Sequence, residues 1–235
     1  MRMERRKRLF DCAVTNLAAP LWVPLLLVCA LVILIADGRP IFYISLRQTA
    51  RAHTRRVFKF RTMRRDADKI ANRDTVPISG RRFLNISSNS PLYTSVGRLI
   101  ERLGLTELPQ LLHVLSGHMS LVGNRPLPDR VMEVLRQAHP NVDERFLTKA
   151  GLVGPVQLVG RDNLTDAERL WLEAQYCRLA ASEDYTLKLD FWLLCYTLFV
   201  LLSRGRTFSP ETVSAMMDAW CGVSRTSRRA VASGN

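Results

Sequence analysis

The sequence predicts a helix-rich α/β fold in which an N-terminal membrane helix is packed on a small domain. Three observations carry this. Residues 12–36 contain no charge. Residues 41–44 and 57–61 have strand character, the second alternating apolar with basic side chains. Most of the remainder places apolar residues at helical spacing between glycine, proline and capping residues.

As a straight helix, residues 12–36 would run about 37 Å, enough to cross a bilayer. Arg5, Arg6, Lys7 and Arg8 precede the run, as they would in a secretory signal. The run is too long for a signal's apolar region, and no convincing small-x-small cleavage pattern follows Ile35. Basic residues also follow it: Arg39, Arg47, Arg51, Arg55, Arg56, Lys59 and Arg61. Short flanks rich in Lys and Arg stay on the cytoplasmic side, and both can do so only if the helix enters and returns. Pro20 and Pro24 lie on one helical face and supply a bend. Thr15 and Asn16 are at hand to satisfy the freed backbone. The expectation is a re-entrant helix with both ends cytoplasmic; the alternative is a kinked single-span anchor.

This divides the chain into a basic N-terminus with the membrane helix (1–38), a domain (39–203) and a basic tail (204–235). Within the domain, residues 66–92 read as a long loop. Val96, Leu99, Ile100 and Leu103 mark a helix ended by Gly104. Leu108, Leu111, Leu112 and Leu115 mark another, closed by Gly117, and Pro128 opens a third around residues 131–135. Thr165 and Glu168 form a capping box at the start of a helix through about Leu179. Residues 191–202 are too short to span, so they predict a buried or interfacial helix, with Trp192 and Tyr196 suited to an interface. Ser209, Pro210 and Glu211 open a short helix, after which the last dozen or so residues have the composition of a disordered tail.

The chain has 235 residues, 47% of them hydrophobic, and a net charge of +13. The charge implies an anionic partner: lipid, phosphorylated substrate or nucleic acid. The apolar segment argues against a nucleic-acid binder, and no motif for one is present. Five cysteines form no CxxC and four histidines form no HxxxH, which argues against disulfides or zinc.

Thr106-Glu107-Leu108-Pro109-Gln110 has a structural explanation of its own. Thr106 can cap the next helix, Glu107 gains from its dipole, and Pro109 is tolerated in its first turn. The surroundings supply a chemical one. Lys59, Arg61, Arg98 and Arg125 stand beside turns or strand ends, and a Gly-rich stretch runs from Gly151 to Gly160 and Arg161. Fixed arginines and one carboxylate suit a diphosphate with a divalent metal. No Walker loop or GxGxxG is present, so side chains would hold the nucleotide. The arginines could equally contact acidic lipid.

The chain resembles the bacterial sugar transferases, the monotopic polyprenol-phosphate phosphoglycosyl transferases. The matching segments are Lys7-Arg8-Leu9-Phe10-Asp11, Lys59-Phe60-Arg61-Thr62-Met63, Val96-Gly97-Arg98, Glu107-Leu108-Pro109-Gln110, Met119-Ser120-Leu121-Val122-Gly123, Arg125-Pro126, and Gln157 with Gly160-Arg161. The resemblance implies a re-entrant helix broken near Pro24 on a small cytoplasmic α/β catalytic domain with interfacial amphipathic helices. It implies transfer of a sugar phosphate from a UDP-sugar to undecaprenyl phosphate, with release of UMP and with Mg²⁺, to prime exopolysaccharide synthesis at the inner membrane. A homodimer is a further candidate partner state.

The family's Asp-Glu pair supplies a nucleophile and a metal ligand. Glu107 matches the glutamate, and Thr106 stands in the aspartate's place. The catalytic candidates are therefore Thr106 and Glu107, with Glu107 also the metal ligand. Lys59, Arg61, Arg98, Arg125, Gln157 and Arg161 are the substrate-binding candidates. A threonine hydroxyl must lose a proton as it attacks and needs a base, and Glu107, the next residue, points about 100° away on a helix. Three readings stay open: another carboxylate attacks, the acceptor phosphate attacks directly, or catalysis is lost and the chain only binds polyprenyl phosphate or a partner. Val23-Pro24, Asn124-Arg125-Pro126 and Gly151-Leu152-Val153-Gly154-Pro155 also depart from the family pattern.

Overall fold

The computed structural model describes residues 2–51, 53–71, 90–160, 163–203 and 206–222. Helix α1 (Arg2–Leu17) and helix α2 (Ala19–Ala36) are separated by a turn at Ala18. The expected break near Pro24 is thus displaced to a point before Pro20. Pro20 lies in the first turn of α2, where its missing N–H is harmless, and its ring prevents α1 from continuing. Pro24 is accommodated inside α2. At the break, Trp22 Nε1 donates to the Thr15 carbonyl at 2.9 Å and Asn16 Nδ2 to the Cys12 carbonyl at 2.8 Å. Among the described residues, α2 alone is long and apolar enough to cross a membrane, with a mean hydropathy of 2.7.

Both ends of this helical pair are tied to the same domain. Lys7 pairs with Asp190, and the Arg8 guanidinium donates to the Val114 and Leu115 carbonyls. Asp11 accepts from Ser120 Oγ at 2.8 Å and from the Leu121 amide at 3.2 Å. Burial raises the Asp11 pKa, and the Lys7 charge opposes that rise. At the far end, Arg61 donates to the carbonyls of Asp37, Gly38 and Arg39 at 2.8, 2.9 and 3.2 Å. It thereby satisfies carbonyls of the turn that follows α2 and sets a cation beside its C-terminus.

Strands β1 (Phe42–Ala50) and β2 (His53–Phe60) form an antiparallel hairpin, with Phe42 opposite Phe60 and Arg47 opposite Arg55. Each strand exceeds the segment expected from sequence. Mostly polar stretches that look loop-like singly, 45–50 and 53–56, become strand by pairing with one another, with an irregularity between Gln48 and Ala50. A short helix α3 (Ala67–Ala71) follows; most of the loop expected at 66–92 lies outside the described residues. Helix α4 (Ser95–Arg102) is capped by Thr94, whose Oγ1 accepts from the Gly97 amide at 2.9 Å. Gly97 lies so close to Thr62 that a Cβ would stand 1.9 Å from the Thr62 carbonyl oxygen.

Gly104 (φ +70°) ends α4, as expected. The next expected helix is a 3₁₀ turn (Leu108–Gln110) continuing into α5 (Leu111–Leu115), with Gly117 at φ +77° after it. Thr106 does not cap it. Its hydroxyl donates to Glu101 instead, and Glu107 occupies the position before the turn without a side-chain cap bond. Strand β3 (Ser120–Val122), α6 (Asp129–Ala138), a 3₁₀ turn (Val142–Phe146), β4 (Gly151–Val153) and α7 (Pro155–Val159) follow, with β4 parallel to β3. Helices α8 (Asp166–Ala181), α9 (Leu187–Leu202) and α10 (Pro210–Cys221) complete the order.

The main core gathers Val114, Leu121, Val122, Leu158, Leu172, Tyr176, Leu189, Leu193, Val213 and Met217. A separate cluster of Cys29, Ile33, Phe60 and Ile100 seats the second half of α2 on the hairpin and α4. Helix α9 buries Leu189, Leu193 and Thr197 but exposes Phe191, Trp192, Leu198, Phe199, Leu201 and Leu202. It is half-buried, with an apolar outer side.

Candidate active site

Alternation along the hairpin puts Ser45 and Arg47 of β1 beside Val57 and Lys59 of β2 on one face. That face forms a wall of a solvent-open cleft also lined by Glu107, Gln110, Arg125, Pro126 and Gly151. The Phe60 amide donates to the Thr106 carbonyl at 2.9 Å, which fixes Glu107 beside the end of β2. Arg125 reaches in from the segment after β3 and pairs with Glu107. Arg47 Nε donates to Ser45 Oγ at 2.9 Å, and Lys59 Nζ lies 4.9 Å from the centre of the Tyr43 ring.

Arg125 is held from behind. Its carbonyl accepts from Arg145 Nη2 at 2.7 Å. Arg145 is buried, as is its ion-pair partner Glu173 at 3.1 Å, which also takes Arg169 at 3.2 Å. Burial lowers the Arg145 pKa and the Glu173 charge opposes the shift. Asn124 Nδ2 donates to the Arg145 carbonyl at 3.2 Å. Gly123 and Gly151 meet backbone to backbone: a Cβ on Gly151 would stand 2.2 Å from the Gly123 nitrogen. Close approach of the backbone just after β3 to the parallel β4 therefore sets the floor on which Arg125 stands.

Of the residues the sequence nominated, the cleft brings together Lys59, Glu107 and Arg125. Thr106, the residue before Glu107, is buried and not among the residues lining the cleft; its hydroxyl lies 2.6 Å from Glu101 Oε2. The other nominees stand elsewhere. Arg61 is buried against the carbonyls that follow α2. Arg98 lies on α4, with Nη2 3.5 Å from the Ser90 carbonyl. Gln157 locks its own helix, donating to the Leu152 carbonyl and accepting from the Gly154 amide, both at 3.0 Å. It lines a second, smaller hollow that shares Arg125 with the first. Arg161 lies outside the described residues. Sequence reasoning missed Ser45, Arg47 and Gln110 as cleft residues and Glu101 and Arg145 as supports. Hairpin alternation would have found the first two; Glu101 and Arg145 act through contacts that no local pattern encodes.

Arg47, Lys59 and Arg125 outnumber Glu107, so the cleft is a cationic receptacle suited to phosphate oxygens. Among the described residues, no three His, Cys, Asp or Glu side chains cluster as a ready metal site. One carboxylate in such a setting fits a Mg²⁺ that arrives with a diphosphate, because Mg²⁺ is commonly held by one or two carboxylates plus substrate phosphates.

The model of the bacterial sugar transferase family matches residues 2–204. The exopolysaccharide production protein ExoY of Rhizobium meliloti is 30% identical over 204 residues, covering 85% of this chain and 87% of that protein. The UDP-glucose:undecaprenyl-phosphate glucose-1-phosphate transferase of Caulobacter vibrioides is 30% identical over 192 residues, 81% of this chain and 66% of the relative. The undecaprenyl-phosphate glucose phosphotransferase of Komagataeibacter xylinus is 34% identical over 183 residues, 73% of this chain and 32% of the relative. The chain belongs to the bacterial sugar transferase family, and with it to the phosphoglycosyl transferase enzymes.

Proposed function

We propose that the chain moves a sugar phosphate from a UDP-sugar to undecaprenyl phosphate, releasing UMP, as the priming step of exopolysaccharide synthesis. The observation that carries this reading is the cleft in which Arg47, Lys59 and Arg125 surround Glu107. The cationic side chains bind and orient the diphosphate and stabilise charge on its oxygens as the phosphoanhydride breaks. Glu107 would hold Mg²⁺, which when bound neutralises diphosphate charge. Arg125 would exchange Glu107 for phosphate when the donor enters.

The lipid acceptor calls for a membrane beside the cleft, and we place the protein at the inner membrane with the catalytic domain on the cytoplasmic face. Helix α2 exposes Leu21, Leu27, Val28, Leu31 and Ile35, and α9 adds a second apolar side. Re-entry is supported by the turn at Ala18 and by the anchoring of both ends of the helical pair on one domain.

The test mixes purified protein, Mg²⁺, undecaprenyl phosphate and a panel of UDP-sugars and follows UMP. Release that disappears in Glu107→Ala is the expected result. The engagement of Thr106 with Glu101 favours one rival, a catalytically silent binder of polyprenyl phosphate. That rival predicts no release from the natural chain but release from Thr106→Asp/Glu101→Gln, where the glutamine avoids two carboxylates in contact.

A further inference from the structure

The backbone at the root of Arg125 is clasped from two sides. Arg145 Nη2 donates to the Arg125 carbonyl at 2.7 Å, and Asn124 Nδ2 donates back to the Arg145 carbonyl at 3.2 Å. The Asn124 carbonyl is taken by the Gly151 amide at 2.9 Å. Arg145 is 3% exposed and faces Glu173, 2% exposed, across 3.1 Å. The strongest arrangement of such a pair is a fork of two parallel hydrogen bonds. Here Nη2 spends its hydrogen bond on the Arg125 carbonyl, and among the described residues Glu173 Oε2 receives none. A buried acceptor without a donor is costly, and an apolar pair of similar volume would serve stability as well or better. What the charged pair supplies is direction at the Arg125 backbone.

We propose that Arg145 and Glu173 are positioning residues that set, through the Arg125 backbone, where the Arg125 guanidinium meets the donor diphosphate. This rests on the transferase reading above. Arg125 lines the cleft and pairs there with Glu107, whereas neither Arg145 nor Glu173 lines it; both act through Arg125. Arg145 is suited to the task because its planar donors can reach a carbonyl while the charge faces a carboxylate, which the point charge of a lysine cannot reproduce. Glu173 keeps that charge buried, and its Oε1 takes Arg169 Nε at 3.2 Å beside the hollow that Arg125 shares. Glu173 stands on α8, whose Leu172 and Tyr176 belong to the main core. The clasp thus refers Arg125 to the core of the domain instead of to its own segment. A displacement of about 1 Å in a group that orients the reacting phosphate costs about 10²-fold in rate.

The experiment uses the full chain in detergent micelles and runs a double-mutant cycle between Arg125→Ala and the apolar pair Arg145→Met/Glu173→Met. Removing both charges strands neither, so the thermal midpoint should hold. UMP release from a UDP-sugar, and binding of UDP with Mg²⁺ by calorimetry, are measured on all four proteins. The apolar pair alone should lower kcat/KM by about 10²-fold and UDP affinity by about tenfold. With Arg125 already alanine no side chain is left to place, so the pair should change either quantity by no more than about twofold. If the apolar pair does not fold, Arg145→Lys runs the same cycle, keeping the charge against Glu173 and losing the planar fork. Equal losses in both backgrounds, or natural kinetics in the apolar pair, would overturn the positioning role and leave the transferase reading intact. If the natural chain binds UDP with the expected coupling but releases no UMP from any donor, the transferase reading falls and the placing of Arg125 for a diphosphate stands. If it neither binds UDP nor releases UMP, both fall.

Discussion

Replacing Lys7 with methionine should destabilise the protein far more than the loss of a membrane-flank charge would. By sequence Lys7 belongs to a basic cluster ahead of an apolar helix, and such a residue contributes about 1 kcal/mol of lipid attraction. In the fold it is the counter-charge of Asp190, whose side chain is 0% exposed and which also accepts from the hydroxyls of Tyr176 at 2.9 Å and Tyr185 at 2.7 Å. Burial and the Asp190 charge push the pKa of both tyrosines up, so the phenols remain donors but bring no positive charge. Lys7→Met therefore strands a buried carboxylate, at a cost of about 3–5 kcal/mol. Lys7 also donates to the Val122 carbonyl at 3.0 Å, at the root of the segment carrying Arg125, so transfer activity should fall with stability. The assay is denaturant unfolding in detergent micelles for Lys7→Met, Asp190→Leu and the double variant. The double should recover part of the loss, because it removes the stranded charge, and the coupling should exceed about 2 kcal/mol. A Lys7→Met cost below about 1 kcal/mol, or additivity of the two changes, would refute the buried-pin argument.

Other outcomes follow from the same geometry. Arg125→Ala removes a partly exposed ion pair, so stability should change by less than about 1 kcal/mol, while UMP release falls by about 10²-fold or more. Gly151→Ala forces a Cβ onto the Gly123 backbone and should cost at least about 1–3 kcal/mol, with substrate affinity weakened as the cleft floor shifts. His113 accepts from the Phe58 amide at 3.3 Å, and burial, then the neighbouring His118, lowers its pKa. The unfolded chain binds the proton more readily, so this contribution to stability is present above about pH 6.5 and is lost as pH falls below it. His113→Gln should flatten that slope in pH-dependent melting curves.

Local signals in the sequence mapped well onto helix ends. Thr165 and Glu168 form the expected reciprocal cap, Ser209 caps α10, and Gly104 and Gly117 take left-handed conformations where helices close. Each of these is decided within a turn or so of chain. The hairpin was only half legible, because residues 45–50 become a strand through their partners and not through their own composition. The break at Ala18 depends on which proline the first turn of α2 can absorb, and Trp22 bonds back across it to Thr15. The site divides in the same way. Lys59, Glu107 and Arg125 sit at the ends of elements that converge, whereas Arg61, nominated as a substrate contact, donates from Nη1 and Nη2 to backbone carbonyls. Sequence shows that a guanidinium is present; only packing shows whether it faces phosphate or backbone.

The most direct measurement follows the phosphorus itself. Donor labelled with ³²P in the sugar-linked phosphate is incubated with the protein, Mg²⁺ and undecaprenyl phosphate, then partitioned between water and organic solvent. The account predicts label in the lipid fraction for the natural chain and loss of that transfer in Glu107→Ala. Label confined to water with every UDP-sugar, or undiminished transfer by Glu107→Ala, would contradict it.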